Sequence, residues 1–393
     1  MVGIFCPQYL TIVALIGLVS SFTIQTKQNE DVPVVVEELL NLLTVNSPAS
    51  IEKVEVQRPG YPTENFDWQG PGNVGQIVGV SVDSEGRPVI FHRGDRTWNY
   101  NTYDDNLEYE EAFEGPIQDA TILVLNSITG VVVNAWGEQI FYLPHGLHID
   151  PFGYVWLTDV ALHQVFKFKP GSRRPDLILG ERFTRGSDDQ HFCQPTAVAV
   201  AKSGEIVVAD GYCNNRIMVF DESGNLINKI PQQNEFVTLR VPHGLAILDQ
   251  GDVCVADREN MRIICLNVGL RSNNDINNNN NNNNINERRR PPLTLHQPDL
   301  GRVFAVAAHG NILYAVNGPT SPMIPIRGFI MDPKFEDIFG SWSPSTGNFE
   351  QPHAMAISPN GSELYVTEIG PNKIWKFDLV RGNRQDDIWN NLE

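Results

Sequence analysis

The chain repeats itself. From Gly75 onward a short alternating apolar strand, a turn carrying Gly or Asn and a second apolar strand recur as a unit. The first strands of the units read Val78-Gly79-Val80-Ser81-Val82, His145-Gly146-Leu147-His148-Ile149 and Thr196-Ala197-Val198-Ala199-Val200. The other three are His243-Gly244-Leu245-Ala246-Ile247, Phe304-Ala305-Val306-Ala307-Ala308 and His353-Ala354-Met355-Ala356-Ile357. Their central residues, Val80, Leu147, Val198, Leu245, Val306 and Met355, lie 67, 51, 47, 61 and 49 positions apart. A unit this small cannot bury its apolar face alone, so neighbours have to stack. The predicted fold class is all-β, a six-bladed β-propeller of four-stranded blades spanning residues 65–385.

The long intervals have visible causes. One holds a polar insert from about Arg96 to Glu114, and the other an Asn-rich tract, Asn273 to Asn286. The tract places a disordered surface loop at 271–292, with Arg288-Arg289-Arg290 as a candidate cleavage point. Residues 1–21 carry a short apolar run ended by Ser20 and Ser21, which reads as a signal peptide, with an uncleaved anchor as the alternative. Residues 22–64 read as a flexible polar leader and 386–393 as a tail. No later stretch is apolar enough to span a membrane, so a secreted or secretory-granule protein is expected.

Charge narrows the partners. The net charge of −18 excludes the basic footprint that nucleic-acid binding requires. If Cys6 leaves with the signal peptide, Cys193, Cys213, Cys254 and Cys265 remain, an even set suited to an oxidising compartment and open to three pairings. Pairings 193–213 and 254–265 need no crossing between blades. Asn360-Gly361-Ser362 is a glycosylation sequon.

One position of the repeat carries the chemistry. At the start of the six first strands it reads Val78, His145, Thr196, His243, Phe304 and His353, and each histidine follows a proline, Pro144, Pro242 or Pro352. Alternate blades of a six-bladed ring are about 120° apart, so three imidazoles would converge on the axis. Three neutral histidines with an open fourth position describe a catalytic zinc site. The other six histidines (His92, His148, His163, His191, His296 and His309) fall off this phase and read as structural. Twelve to fourteen residues past the central positions, a second ring reads Arg93, Val160, Tyr212, Arg258, Gly318 and Glu368. Antiparallel pairing brings it to the same face. Two arginines there suit an anionic substrate, and Tyr212 is a candidate base.

The Asp…Asn-x-Arg-Ile runs at Asp210 to Ile217 and Asp257 to Ile263 resemble NHL-type repeats. The stretches Val89-Ile90-Phe91-His92-Arg93-Gly94-Asp95, Leu143-Pro144-His145-Gly146-Leu147, Asp210-Gly211-Tyr212-Cys213 and Val255-Ala256-Asp257-Arg258-Glu259-Asn260 resemble the peptidyl-α-hydroxyglycine α-amidating lyases, the second catalytic unit of peptide-amidating enzymes. That resemblance covers about residues 70–377. It implies zinc on His145, His243 and His353, catalytic Tyr212 and Arg93 assisted by Arg258, and the disulfides 193–213 and 254–265. Also implied is a structural calcium on the carbonyls of Val80 and Leu147 plus an aspartate at a position that is Ala354 here. Without that charged ligand two carbonyls would bind calcium weakly. Gln351 stands where the family carries methionine. The expected reaction cleaves peptidyl-α-hydroxyglycine to a peptide amide and glyoxylate, downstream of a separate peptidylglycine hydroxylating monooxygenase and in a monomer. A non-catalytic NHL-propeller binding scaffold is the alternative, and it would bind no zinc.

Overall fold

The computed structural model describes residues 59–232, 237–271 and 291–380. The expected signal peptide, most of the leader, most of the Asn-rich loop with its arginine triplet and the tail lie outside the described residues. Six four-stranded antiparallel sheets form the blades of a propeller. A first strand, β1 (Tyr61–Glu64), precedes blade 1, which holds β2 (Ile77–Val82), β3 (Pro88–His92), β4 (Ile122–Leu125) and β5 (Val132–Trp136). Blade 2 holds β6 (Pro144–Ile149), β7 (Val155–Asp159), β8 (Gln164–Phe168) and β9 (Pro175–Leu179). Blade 3 holds β10 (Ala197–Val200), β11 (Ile206–Asp210), β12 (Arg216–Phe220) and β13 (Leu226–Ile230). In blade 4 are β14 (Pro242–Ile247), β15 (Val253–Asp257), β16 (Arg262–Leu266) and β17 (Leu293–Leu295). In blade 5 are β18 (Val303–His309), β19 (Ile312–Asn317), β20 (Gly328–Asp332) and β21 (Asp337–Trp342). Blade 6 takes β22 (Pro352–Ile357), β23 (Glu363–Ile369) and β24 (Asn372–Val380), and β1 completes it by pairing along β24 from Tyr61↔Val380 to Glu64↔Phe377.

That pairing moves a boundary. The last four residues assigned to the leader form the outer strand of the sixth blade, so the first and last described strands lock the ring. No residue pattern marks this strand, because four residues with one buried side chain show no periodicity.

The six inner strands touch in the order β2, β6, β10, β14, β18, β22 and back to β2. There is no single core; an apolar cluster lies between each pair of neighbouring blades. On β11, Ile206 and Val208 face blade 2, while Val207 and Ala209 face blade 4. A strand clamped on both faces has to be apolar throughout, and β11 is buried from end to end. Each substantial apolar side chain so buried contributes about 1.5–3 kcal/mol.

Second strands end in buried acids that fix the segment entering the inner strand. Asp159 accepts the N–H groups of Tyr142 and Leu143 at 2.7 and 3.0 Å. Asp257 takes Arg240 N–H at 2.7 Å, and Glu368 takes Glu350 and Gln351, each at 2.7 Å. Glu368 therefore belongs with Asp159, Asp210 and Asp257 and not with the ring of Arg93 and Arg258. Counting from strand centres missed by one residue there.

Candidate active site

The inner strands do not run straight past the histidine phase. Register slips by one residue between Pro144 and Leu147, between Pro242 and Leu245, and between Pro352 and Ala354. Blades 1 and 5 slip at Val78 and Phe304. A β-bulge leaves one residue unpaired and re-aims its side chain. Each bulge falls at a histidine or its equivalent, and this turns three imidazoles toward one another.

His145, His243 and His353 are 1%, 3% and 4% exposed. Their ring centroids stand 5.0, 4.8 and 4.8 Å apart, and one nitrogen from each lies within 4.8 Å of the others. Each Nδ1 donates to a backbone carbonyl of the next blade: His145 to Thr196 at 2.7 Å, His243 to Phe304 at 2.7 Å and His353 to Val78 at 2.8 Å. A carbonyl only accepts, so Nδ1 carries the proton and every Nε2 presents a lone pair. Gly146 and Gly244 follow their histidines because a Cβ would stand 2.7 Å from Thr196 O and 3.1 Å from Phe304 O, the very carbonyls that orient the rings.

Three lone pairs share one proton. Tyr212 Oη is 2.9 Å from His145 Nε2 and 3.3 Å from His243 Nε2, while His353 Nε2 has no hydrogen-bond donor. Protonating the rings is disfavoured. Burial, then the neighbouring His353, His243 and Arg93, hold His145 well below the usual histidine range. Burial, His353 and Arg258 do the same to His243, and burial with Arg93 pushes His353 down to about 3. A buried set of three electron-pair donors with one proton among them fits a cation, and an N₃ set with room for a fourth ligand suits zinc and its first-row neighbours. Among the described residues this is the one cluster of three metal-capable side chains.

The implied calcium finds no such fit. Ala354 packs its methyl against the cluster containing Val80, Ile77 and Tyr365. No step is built on that ion.

Arg93 is 1% exposed; its Nε donates to Pro144 O at 3.0 Å and its Nη1 to Gln76 Oε1 at 2.7 Å. The remaining nitrogen, Nη2, makes no hydrogen bond to the described residues and can meet an anion. Burial brings the guanidinium down to about 10, so it stays charged at neutral pH. Arg258 lies over the rings of Tyr212 and Phe304 at 5.3 and 5.1 Å, and its Nε pairs with Glu259 at 3.0 Å. Its charge is therefore partly neutralised. Both disulfides are present, Cys193–Cys213 beside Tyr212 and Cys254–Cys265 across β15 and β16. Val241, two residues before His243, sits at φ 52°, costly for a β-branched residue, and is held by Asn215 Oδ1 at 2.7 Å. Asn360 is exposed on the β22–β23 turn, and Gln351 is exposed as well.

Sequence reasoning missed Trp98. Within the insert taken as a spacer, it stands 4.8 Å from Tyr212 and 6.2 Å from His145, ring to ring, and Arg93 lies 5.2 Å above it. Gln76 Oε1 accepts from both Trp98 N–H and Arg93, tying the insert to the site. The available signal was an aromatic run, Trp98, Tyr100, Tyr103 and Tyr109, in an otherwise polar segment.

Fold and site together define a six-bladed NHL-type propeller with a three-imidazole centre. An NHL repeat family model matches residues 192–220 and 239–266. A gluconolactonase structure from Xanthomonas campestris aligns over 82% of this chain and 95% of its own, with TM-score 0.52 at 11% identity, which shows a shared fold alone. Peptidyl-alpha-hydroxyglycine alpha-amidating lyase 2 of Drosophila melanogaster is 46% identical over 338 residues, 85% of this chain and 78% of that protein. A probable lyase of the same name from Caenorhabditis elegans is 36% identical over 78% of this chain and 83% of its own. The chain belongs to the peptidyl-α-hydroxyglycine α-amidating lyase family and is a lyase of that kind. The peptidylglycine alpha-amidating monooxygenase of Rattus norvegicus is 37% identical over 85% of this chain, which spans 35% of that longer protein.

Proposed function

We propose that the protein is a zinc-dependent lyase that cleaves peptidyl-α-hydroxyglycine to an α-amidated peptide and glyoxylate. The observation that carries this reading is the set of three Nε2 lone pairs beside a free guanidinium nitrogen and a phenol. His145, His243 and His353 hold the metal, and zinc when bound supplies Lewis-acid polarisation of the substrate's α-hydroxyl. Arg93 Nη2 receives the carboxylate that leaves in glyoxylate. Tyr212, whose oxygen lies beside two of the ligand nitrogens, acts as a phenolate once its own proton has left to water, and takes the α-hydroxyl proton. As the α-carbon–nitrogen bond breaks, the hydroxyl carbon becomes the aldehyde, and that proton passes to the leaving amide nitrogen. Arg258 holds the phenol ring from its other side. Trp98 walls the site, and the buried imidazoles stay unprotonated.

The substrate requires prior hydroxylation at a glycine α-carbon, which we assign to a separate monooxygenase. Two disulfides and the exposed sequon at Asn360 support a secreted glycoprotein. Release of glyoxylate from a synthetic peptidyl-α-hydroxyglycine should be abolished by chelation and restored by zinc. Tyr212→Phe should lower kcat about 10²–10⁴-fold while the metal stays bound. Release that ignores the chelator would exclude the zinc role.

A further inference from the structure

One polar group in the site wall has no partner. Tyr103 belongs to the insert, its ring 5.4 Å from Trp98 and 5.9 Å from Tyr109. It pairs by a backbone bridge with Tyr109, whose own hydroxyl reaches Glu111 at 3.1 Å. The hydroxyl of Tyr103 is buried and makes no hydrogen bond. Leaving such a group unsatisfied is costly, so a tolerated one marks a place where water or a ligand oxygen sits. Its surroundings say which kind. Arg93, Tyr212 and Asp159 all act on it electrostatically, and Trp98 contacts both its ring and the Arg93 guanidinium. Burial and the Asp159 charge raise this phenol well above its ordinary range, so it remains a protonated donor under working conditions. Arg93, which also packs on Trp98, contributes one more nitrogen, and a carboxylate has two oxygens to satisfy.

We propose that Tyr103 is a substrate-binding residue whose hydroxyl donates to the substrate's carboxylate beside Arg93. The proposal rests on the lyase reading for the identity of the ligand. It makes the insert a recognition element, delivering Trp98 and Tyr103 together.

Removing only the oxygen separates this role from a structural one. Tyr103→Phe deletes a hydroxyl that holds nothing in the free protein, so its thermal midpoint should be unchanged or higher. Zinc-loaded wild type and variant are titrated calorimetrically with a 2-hydroxy carboxylate and with its methyl ester. The preference for the acid over the ester should fall about tenfold in the variant. For turnover of peptidyl-α-hydroxyglycine, KM should rise by a similar factor with kcat nearly unchanged. An unchanged acid-over-ester preference overturns the proposal, as does a lowered midpoint with both ligands weakened alike. If wild type releases no glyoxylate yet the preference still falls, the carboxylate contact stands and the lyase reading fails.

Discussion

Blades 2, 4 and 6 differ from blades 1, 3 and 5 at a single repeat position, and the two sets divide the labour at the centre. The even blades offer His145, His243 and His353 as donors of Nε2 lone pairs. The odd blades offer Val78, Thr196 and Phe304, whose backbone carbonyls take the Nδ1 protons. Ligand identity is thus written in side chains, and ligand orientation in backbone. Side-chain changes on the odd set should be tolerated by the metal and those on the even set should not.

The strongest way to break that asymmetry is His243→Ala. It removes one of the three proposed ligands and leaves two Nε2 groups, too few to close a stable site. Activity should fall by about 10³-fold or more, since Lewis-acid assistance is worth several kcal/mol. Metal content of the purified variant, measured by elemental analysis, should drop toward zero. A variant that keeps stoichiometric metal would show that His243 is not a ligand.

A smaller effect is expected from Thr196→Val on an odd blade. The hydroxyl of Thr196 donates to Pro242 O at 2.6 Å and Ala209 O at 3.1 Å, so its loss should cost about 1 kcal/mol of stability. The carbonyl that orients His145 remains. Zinc affinity by competition with a chelator should stay within about threefold of wild type. A hundredfold loss would mean that side chains on the odd blades, and not their backbone, set the imidazoles.

Much of this division was legible before any coordinates. Proline followed by histidine at one phase of every second repeat could be read directly, because a propeller turns sequence period into angle. The bulges could not, since a register slip depends on which partner residue is skipped, and no side chain announces it. Trp98 and Tyr103 were illegible for a different reason. They lie in a segment outside the repeat, where no periodicity assigns a direction to a side chain. Tyr212 was found, although by a count that also swept in Glu368; conformity to the repeat locates backbone positions to within one residue only. Strand β1 escaped altogether, because its partner is more than 300 residues away.

The smallest effect distinguishes how the odd and even blades hold the approach to their inner strands. Blades 2, 4 and 6 use the buried carboxylates of Asp159, Asp257 and Glu368 on backbone N–H groups. Blade 3 adds a titratable clasp. His191 Nδ1 meets Asp188 at 2.8 Å and its Nε2 meets Glu181 at 3.2 Å. Arg216 donates to the carbonyls of Ser187, Asp188 and His191 and is held by Asp210, which burial raises to about 6. Hydrogen bonds to Asp188 and then Glu181 raise His191 above the ordinary histidine value, which is about 6.5. A group raised on folding contributes fully below its unfolded value and loses that contribution as pH rises through the folded one. Amide hydrogen exchange across residues 187–192, corrected for intrinsic rates, should therefore be slower at pH 7 than at pH 8.5, a window in which Asp210 stays largely ionised. Exchange around Asp159 and Asp257 should show no such difference, and His191→Gln should erase it in blade 3. Equal protection at both pH values in wild type would reduce the clasp to a surface contact and leave Arg216 as the fastener of the segment leading to Cys193.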